Sequence, residues 1–178
     1  MLARYARRFP EAGRWERATC LSINTWLRVG LLRQVMVWAT RFGDGYGWGV
    51  VGAALLLFGG SRGVRHVIFG GLSVVLVQMA YNLLKRLLVR HRPCDSFHLS
   101  YQPVRMPDAF SFPSGHTATA FTMAMIIGHF SPLLWPGALA LATLVGFSRI
   151  ALGAHFPSDV LAGALLGCLC ASLCLIWY

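Results

Sequence analysis

Charged residues in this chain fall in short stretches between long apolar ones. Residues 45–61, 67–84, 109–148 and 160–178 contain no Asp, Glu, Lys or Arg. A membrane span takes about 20 mostly apolar residues, so the run 109–148 has room for two and each other run for one. Pro132 and Pro136 interrupt the long run and mark the turn between its helices. The pattern predicts five spans, at about 46–61, 64–90, 114–131, 134–151 and 158–178. Pro93 should stop the second, because the residue before a proline is pushed out of the helical region. Residues 93–113 are then the only long loop. Gly163 and Gly167 form a GxxxG pair suited to close helix packing.

Before the first span the pattern changes. Residues 1–18 are polar and arginine-rich, with Pro10 and Gly13 expected to break any long helix. Over 19–40 the positions Leu21, Ile23, Trp26, Leu27, Leu31, Val35 and Trp38 recur at roughly helical spacing, interrupted by Arg28 and Arg33. Two arginines near a span centre are costly. The better fit is an amphipathic helix lying in the interface, with arginines among headgroups and tryptophans in the boundary. Gly43-Asp44-Gly45 then turns the chain into the membrane. The first 17 residues lack the apolar core and small cleavage-site residues of a signal peptide. The fold expected is an all-α, polytopic membrane helical bundle: one domain over 1–178, with a basic interfacial segment at 1–44 and about five transmembrane helices.

Composition supports the membrane reading and removes rivals. The chain is 56% hydrophobic and only 12% charged, against ~25% charged in a typical soluble domain. Its net charge of +10 invites a nucleic-acid reading, but the placement opposes it. Seven arginines fall within residues 1–33 and another group at 85–105, beside hydrophobic runs, where basic residues meet anionic lipid headgroups or set topology. No nucleic-acid partner is expected. Of the five cysteines, Cys168, Cys170 and Cys174 lie inside the last span as small apolar residues. No metal-ligand spacing occurs, and neither metal nor cofactor is expected.

Three clusters place charge and histidine at helix ends. Lys85, the only lysine beside fifteen arginines, stands two helical turns before Arg92, so both cations are expected on one face. Snorkelling anchors would look the same, and Arg86 and Arg90 are read as anchors. Pro113-Ser114-Gly115-His116 opens the third span. Proline, a small hydroxyl residue and glycine leave free backbone N–H groups at a helix start, a natural anion site. Ser114 can add a hydroxyl donor, Gly115 admits close approach to the main chain, and His116 sits in the first turn. The third cluster is Ser148-Arg149, His155 and Asp159. Four residues apart, the carboxylate can take a proton from one imidazole nitrogen and leave the other free to attack; Asp159 would serve equally as a helix cap. In the five-span arrangement all three clusters map to one membrane face.

These residues carry a family resemblance. Lys85 with Arg92-Pro93 matches K-x6-R-P, residues 113–116 match P-S-G-H, and Ser148-Arg149, His155 and Asp159 match S-R-x5-H-x3-D. The chain resembles the type 2 phosphatidic acid phosphatase (PAP2) superfamily, which includes bacterial undecaprenyl-diphosphate and phosphatidylglycerophosphate phosphatases. The resemblance implies a metal-independent lipid phosphatase. His155 would be the nucleophile, Asp159 its orienter and His116 the general acid and base. Lys85, Arg92, Ser114, Gly115 and Arg149 would bind phosphate. The substrate implied first is undecaprenyl diphosphate, then phosphatidate or phosphatidylglycerophosphate, then a lipid A phosphate. The place implied is a bacterial inner membrane, with the site facing the periplasm if 19–40 crosses it; with 19–40 interfacial, the positive charge at 1–33 and 85–105 puts the site on the cytoplasmic side. The superfamily also holds vanadium haloperoxidases, which are soluble and larger. From another class, an anion or lipid-phosphate transporter would use the cations but has no evident need for a carboxylate-backed histidine opposite a second histidine.

Overall fold

The computed structural model describes residues 10–100 and 110–177. In chain order its helices are α1 (Pro10–Thr25), α2 (Gly30–Gly43), α3 (Tyr46–Phe58), α4 (Gly60–Leu88), the short α5 (Pro93–Ser96), α6 (Gly115–Phe130), α7 (Trp135–Ala151) and α8 (Pro157–Leu175). The described residues contain no strand, so the all-α expectation holds. Helices stand at all five expected positions. Among the described residues, three segments are long and apolar enough to cross a membrane, Gly60–Ser96, Pro132–Ala151 and Pro157–Leu175. At 1.5 Å per residue α3 reaches about 20 Å and α6 about 24 Å, short of the ~30 Å hydrocarbon core. The outer surface is apolar. On α8, Leu161, Leu165, Leu169 and Leu173 form an exposed row at four-residue spacing, a face that a water-soluble helix would cover.

The centre of the bundle is built from small residues. Gly163 and Gly167 of α8 lie directly on α6: a Cβ would come 2.5 Å from the Ser114 carbonyl oxygen at the first and 2.2 Å from that of Ala118 at the second. Thr122 donates to its own-helix Ala118 carbonyl at 2.9 Å and to Gly167 at 3.1 Å, satisfying a hydroxyl where no water competes. This approach brings the starts of α6 and α8 together, with Ser114 N–H donating to the Asp159 carbonyl at 3.0 Å. The clustered motifs therefore meet at one end of the bundle.

Three local expectations are corrected. Residues 19–40 do not form one helix: α1 begins at Pro10, runs through Gly13, and ends in a 3-10 turn at Trp26–Arg28, with Val29 extended. Gly13 thus does not break the helix, while Pro10 stands at its first position, where no amide donor is needed. Nor is the segment only peripheral. On α1, Cys20 and Asn24 are buried, the latter donating to Ala151 at 2.8 Å. On α2, Met36 packs with Ala151 and Leu152. The third correction concerns α4, which stops at Leu88, where Val89 turns left-handed (φ 37°), ahead of the expected stop at Pro93. Lys85 and Arg92 thus do not sit two turns apart on one helix.

Candidate active site

A cavity of about 320 Å³ opens where these ends converge, and its wall includes Lys85, Arg92, Gly115, His116, Arg149 and His155. Lys85 comes from the last turn of α4 and Arg149 from the last turn of α7. Arg92 sits in extended backbone (ψ 155°) just before Pro93 opens α5, so a turn of the chain, not a helix face, brings it beside Lys85. Arg92 is 1% exposed and its guanidinium donates to the Ala154 carbonyl at 2.8 Å. Arg149 donates to the Thr40 hydroxyl of α2. Three fixed cations on one wall make an anion site of high local field.

His155 follows the end of α7, held there by its own N–H and that of Ala154, both donating to the Arg149 carbonyl at 3.1 and 2.9 Å. The ring is 1% exposed. Nδ1 lies 2.6 Å from the Ser111 carbonyl oxygen. A carbonyl only accepts, so Nδ1 carries the proton and Nε2 presents its lone pair. Nε2 is 3.3 Å from the Arg92 guanidinium. Burial, then the charges of Arg149, Arg92 and Lys85, push His155 well below the usual histidine range. The imidazole is neutral, as a nucleophile requires.

Asp159 lies behind this ring, away from the cavity. Its Oδ2 is 3.8 Å from His155 Nδ1, beyond hydrogen-bond length, and accepts the Phe156 N–H at 2.7 Å instead. Its Oδ1 takes the Arg90 guanidinium at 2.6 Å. The orienting bond expected from Asp159 is thus made by the Ser111 carbonyl. Ser114 also departs from its expected place: buried and outside the cavity wall, its hydroxyl meets Thr117 at 2.9 Å and caps α6. Gly115 is on the wall, packed so close that a Cβ would meet the Tyr81 ring at 3.1 Å.

Several residues escaped the sequence reading. Arg90 is not a membrane anchor. It joins Asp159 to the buried Glu16 of α1, at 2.5 Å, and lies 4.2 Å over the Phe156 ring. Glu16 also accepts from the Ser158 hydroxyl. Asp44, in the turn between α2 and α3, places Oδ1 2.6 Å from His116 Nε2. One signal was available: the chain has six acidic residues against sixteen basic ones, and three of them, Glu16, Asp44 and Asp159, pair with Arg90 or His116. Scarce carboxylates in a cationic chain tend to be where charge must be balanced.

Residues 67–178 match the PAP2 superfamily. The chain is similar to an undecaprenyl-diphosphatase of Sulfolobus acidocaldarius, 33% identical over 79% of this chain and 68% of that protein. It is also 34% identical to a lipid A 1-phosphatase of Rhizobium johnstonii, over 72% of this chain and 60% of the other. It therefore spans only about two thirds of the length of these relatives. Among solved structures, the crystal structure of Aquifex aeolicus LpxE superposes with a TM-score of 0.74 at 30% identity, covering 88% of this chain and 92% of that one.

Proposed function

The chain belongs to the PAP2 superfamily, and we propose that it removes phosphate from a membrane lipid through a phosphohistidine on His155. The observation that carries this reading is a neutral, buried imidazole, its Nε2 unprotonated, in the wall of a cavity shared with Lys85, Arg92, Arg149 and His116. In the first step Nε2 attacks phosphorus in line and the bond to the lipid oxygen breaks. His116 gives that oxygen its proton. The ring, still protonated at Nδ1, gains positive charge as the N–P bond forms, and the Ser111 carbonyl and the Asp159 carboxylate at 3.8 Å offset it. In the second step neutral His116 takes a proton from water, the hydroxyl attacks phosphorus, and the N–P bond breaks to release inorganic phosphate. The three cations hold the equatorial oxygens, where fixed charge contributes most.

A lipid substrate is supported by the surroundings. One turn deeper on the same helices, at Val74 on α4 and Met123 on α6, begins an apolar groove of about 500 Å³. A phosphate in the polar cavity would have its hydrocarbon in or beside that groove. Undecaprenyl diphosphate is the first substrate proposed, and the likeness to an undecaprenyl-diphosphatase favours it. The likenesses to a lipid A 1-phosphatase and to LpxE favour a lipid A phosphate as the second. A bacterial inner membrane and a periplasm-facing site are proposed with this. Labelling of half-buried Cys94 beside Arg92-Pro93 by a membrane-impermeant maleimide in intact cells tests the facing.

The deciding experiment is phosphate release by the purified protein in detergent from undecaprenyl diphosphate, phosphatidylglycerophosphate, phosphatidate and lipid A, with a chelator present. Turnover is expected with at least one lipid and lost in His155→Ala. Full activity in His155→Ala would end the mechanism, and lipid binding without phosphate release would favour a transporter.

A further inference from the structure

The turn Gly43-Asp44-Gly45 does more than redirect the chain. Gly43, the last residue of α2, lies against the His116 imidazole: a Cβ there would come 3.1 Å from His116 Cδ2 and 2.9 Å from Val145 Cγ1. Gly45 is left-handed (φ 107°), a conformation that favours glycine. Between them Asp44 keeps ordinary helical angles and its N–H donates to Arg41 at 3.1 Å. That turn needs no carboxylate. The Asp44 side chain instead reaches His116 Nε2 at 2.6 Å from half-exposed surroundings.

The charges around His116 show what a carboxylate does there. Lys85 faces the cavity from α4, Arg149 from α7 and Arg92 from the connection before α5, while His155 beside them is neutral. Among the described residues on the cavity wall, Asp44 is the one carboxylate. A general acid must carry a proton when the leaving oxygen needs it, yet three cations sharing the cavity oppose a fourth positive charge.

We propose that Asp44 is the positioning residue that favours the protonated form of His116 against these cations and aims the ring at the leaving group. The proposal rests on the phosphatase reading above. In the cycle His116 passes from imidazolium to imidazole as the departing lipid oxygen is protonated, and regains a proton from water in the second step. Asp44 remains a carboxylate throughout. It comes from outside residues 67–178, the part matching the superfamily, so the acid's partner is supplied by the segment preceding the shared motifs.

The test compares Asp44→Asn and Asp44→Glu with the unmodified protein on an alkyl lipid phosphate and on p-nitrophenyl phosphate, whose leaving group needs no protonation. With the lipid, kcat/KM of Asp44→Asn, which reports only the steps up to phosphohistidine formation, is expected to fall by roughly 10–100-fold, while kcat/KM for p-nitrophenyl phosphate changes by less than about threefold. The alkaline fall of kcat/KM on the lipid moves to lower pH, because less help remains to hold the proton. Asp44→Glu restores part of the rate. Equal losses on both substrates would show a merely structural residue and overturn the proposal, as would an unmoved alkaline limb. Phosphate release from neither substrate by the unmodified protein would sink the phosphatase reading itself.

Discussion

Arg90→Ala is the most informative single change outside the cavity. The side chain is 13% exposed, and its two partners, Glu16 and Asp159, are 6% and 0% exposed. Breaking a buried ion pair by removing one partner costs about 3–5 kcal/mol, since a charge is left uncompensated. Here two carboxylates are stranded near each other, though Asp159 keeps the Phe156 N–H and Glu16 keeps Ser158. We therefore take the lower end, about 3 kcal/mol. The Arg90–Glu16 pair ties α1 to the rest of the bundle, so the loss should appear as local opening of α1. Cys20 reports on this directly. It is fully buried with Sγ 3.9 Å from the His155 carbonyl, and burial, aided by Glu16 and Asp159, pushes its thiol up to about 12. At ~1.4 kcal/mol per tenfold, 3 kcal/mol raises the open population roughly a hundredfold. N-ethylmaleimide labelling of the Cys20 peptide, followed by mass spectrometry in micelles, should accelerate by at least that factor, because opening also frees the thiolate. Glu16→Gln combined with Arg90→Ala should recover part of the protection by removing one stranded charge. Unchanged labelling in Arg90→Ala would refute the account of α1 as an electrostatically anchored helix.

Further expectations follow from the same geometry. Asp159→Asn should leave the protein folded and lower kcat for phosphate release by about 10–100-fold, short of the ~10⁴ seen where a carboxylate alone fixes the tautomer. The Ser111 carbonyl still holds Nδ1–H. For His155, the lowered folded-state value means the ring stays neutral as pH falls through the usual histidine range and protonates only well below it. NMR of 13C-labelled histidine, with the signal assigned by its loss in His155→Ala, should show no titration near pH 6.5; an ordinary midpoint there would contradict the burial of the ring. Gly167→Ala drives a Cβ to 2.2 Å from the Ala118 carbonyl oxygen and 3.0 Å from the Thr122 nitrogen, backbone that cannot swing aside. A loss of about 1–3 kcal/mol is expected, read as a lower unfolding midpoint in detergent, and an unchanged midpoint would show that α6 and α8 separate freely.

Much of the molecule is legible along the chain because the properties involved are local. Apolar length places helices whether or not the chain is folded, and so the five helix positions and a close-packing face at Gly163/Gly167 could be read directly, though not the helix it packs on. The motif residues could be read too, since Lys85, Arg92, His116, Arg149 and His155 each sit at the end of an apolar run, where charge is tolerated. What failed locally failed for local-looking reasons overruled by packing. Pro93 was the obvious stop for α4, but the chain leaves the helix at Val89 and so delivers Arg92 to the Ala154 carbonyl.

Other features are invisible in any window of sequence. That Ser111 rather than Asp159 receives the His155 proton, that Arg90 bridges Glu16 to Asp159, and that Asp44 reaches His116 all depend on contacts between residues 44 to 74 positions apart. A hydrogen bond is decided over fractions of an ångström and by direction, and only the packed bundle sets those. The order of residues in this protein thus determined a membrane bundle with a cationic, two-histidine end. Its tertiary structure alone decided which acceptor fixes each imidazole, because apolar length is additive along a chain whereas the geometry of a proton donor and its acceptor is not.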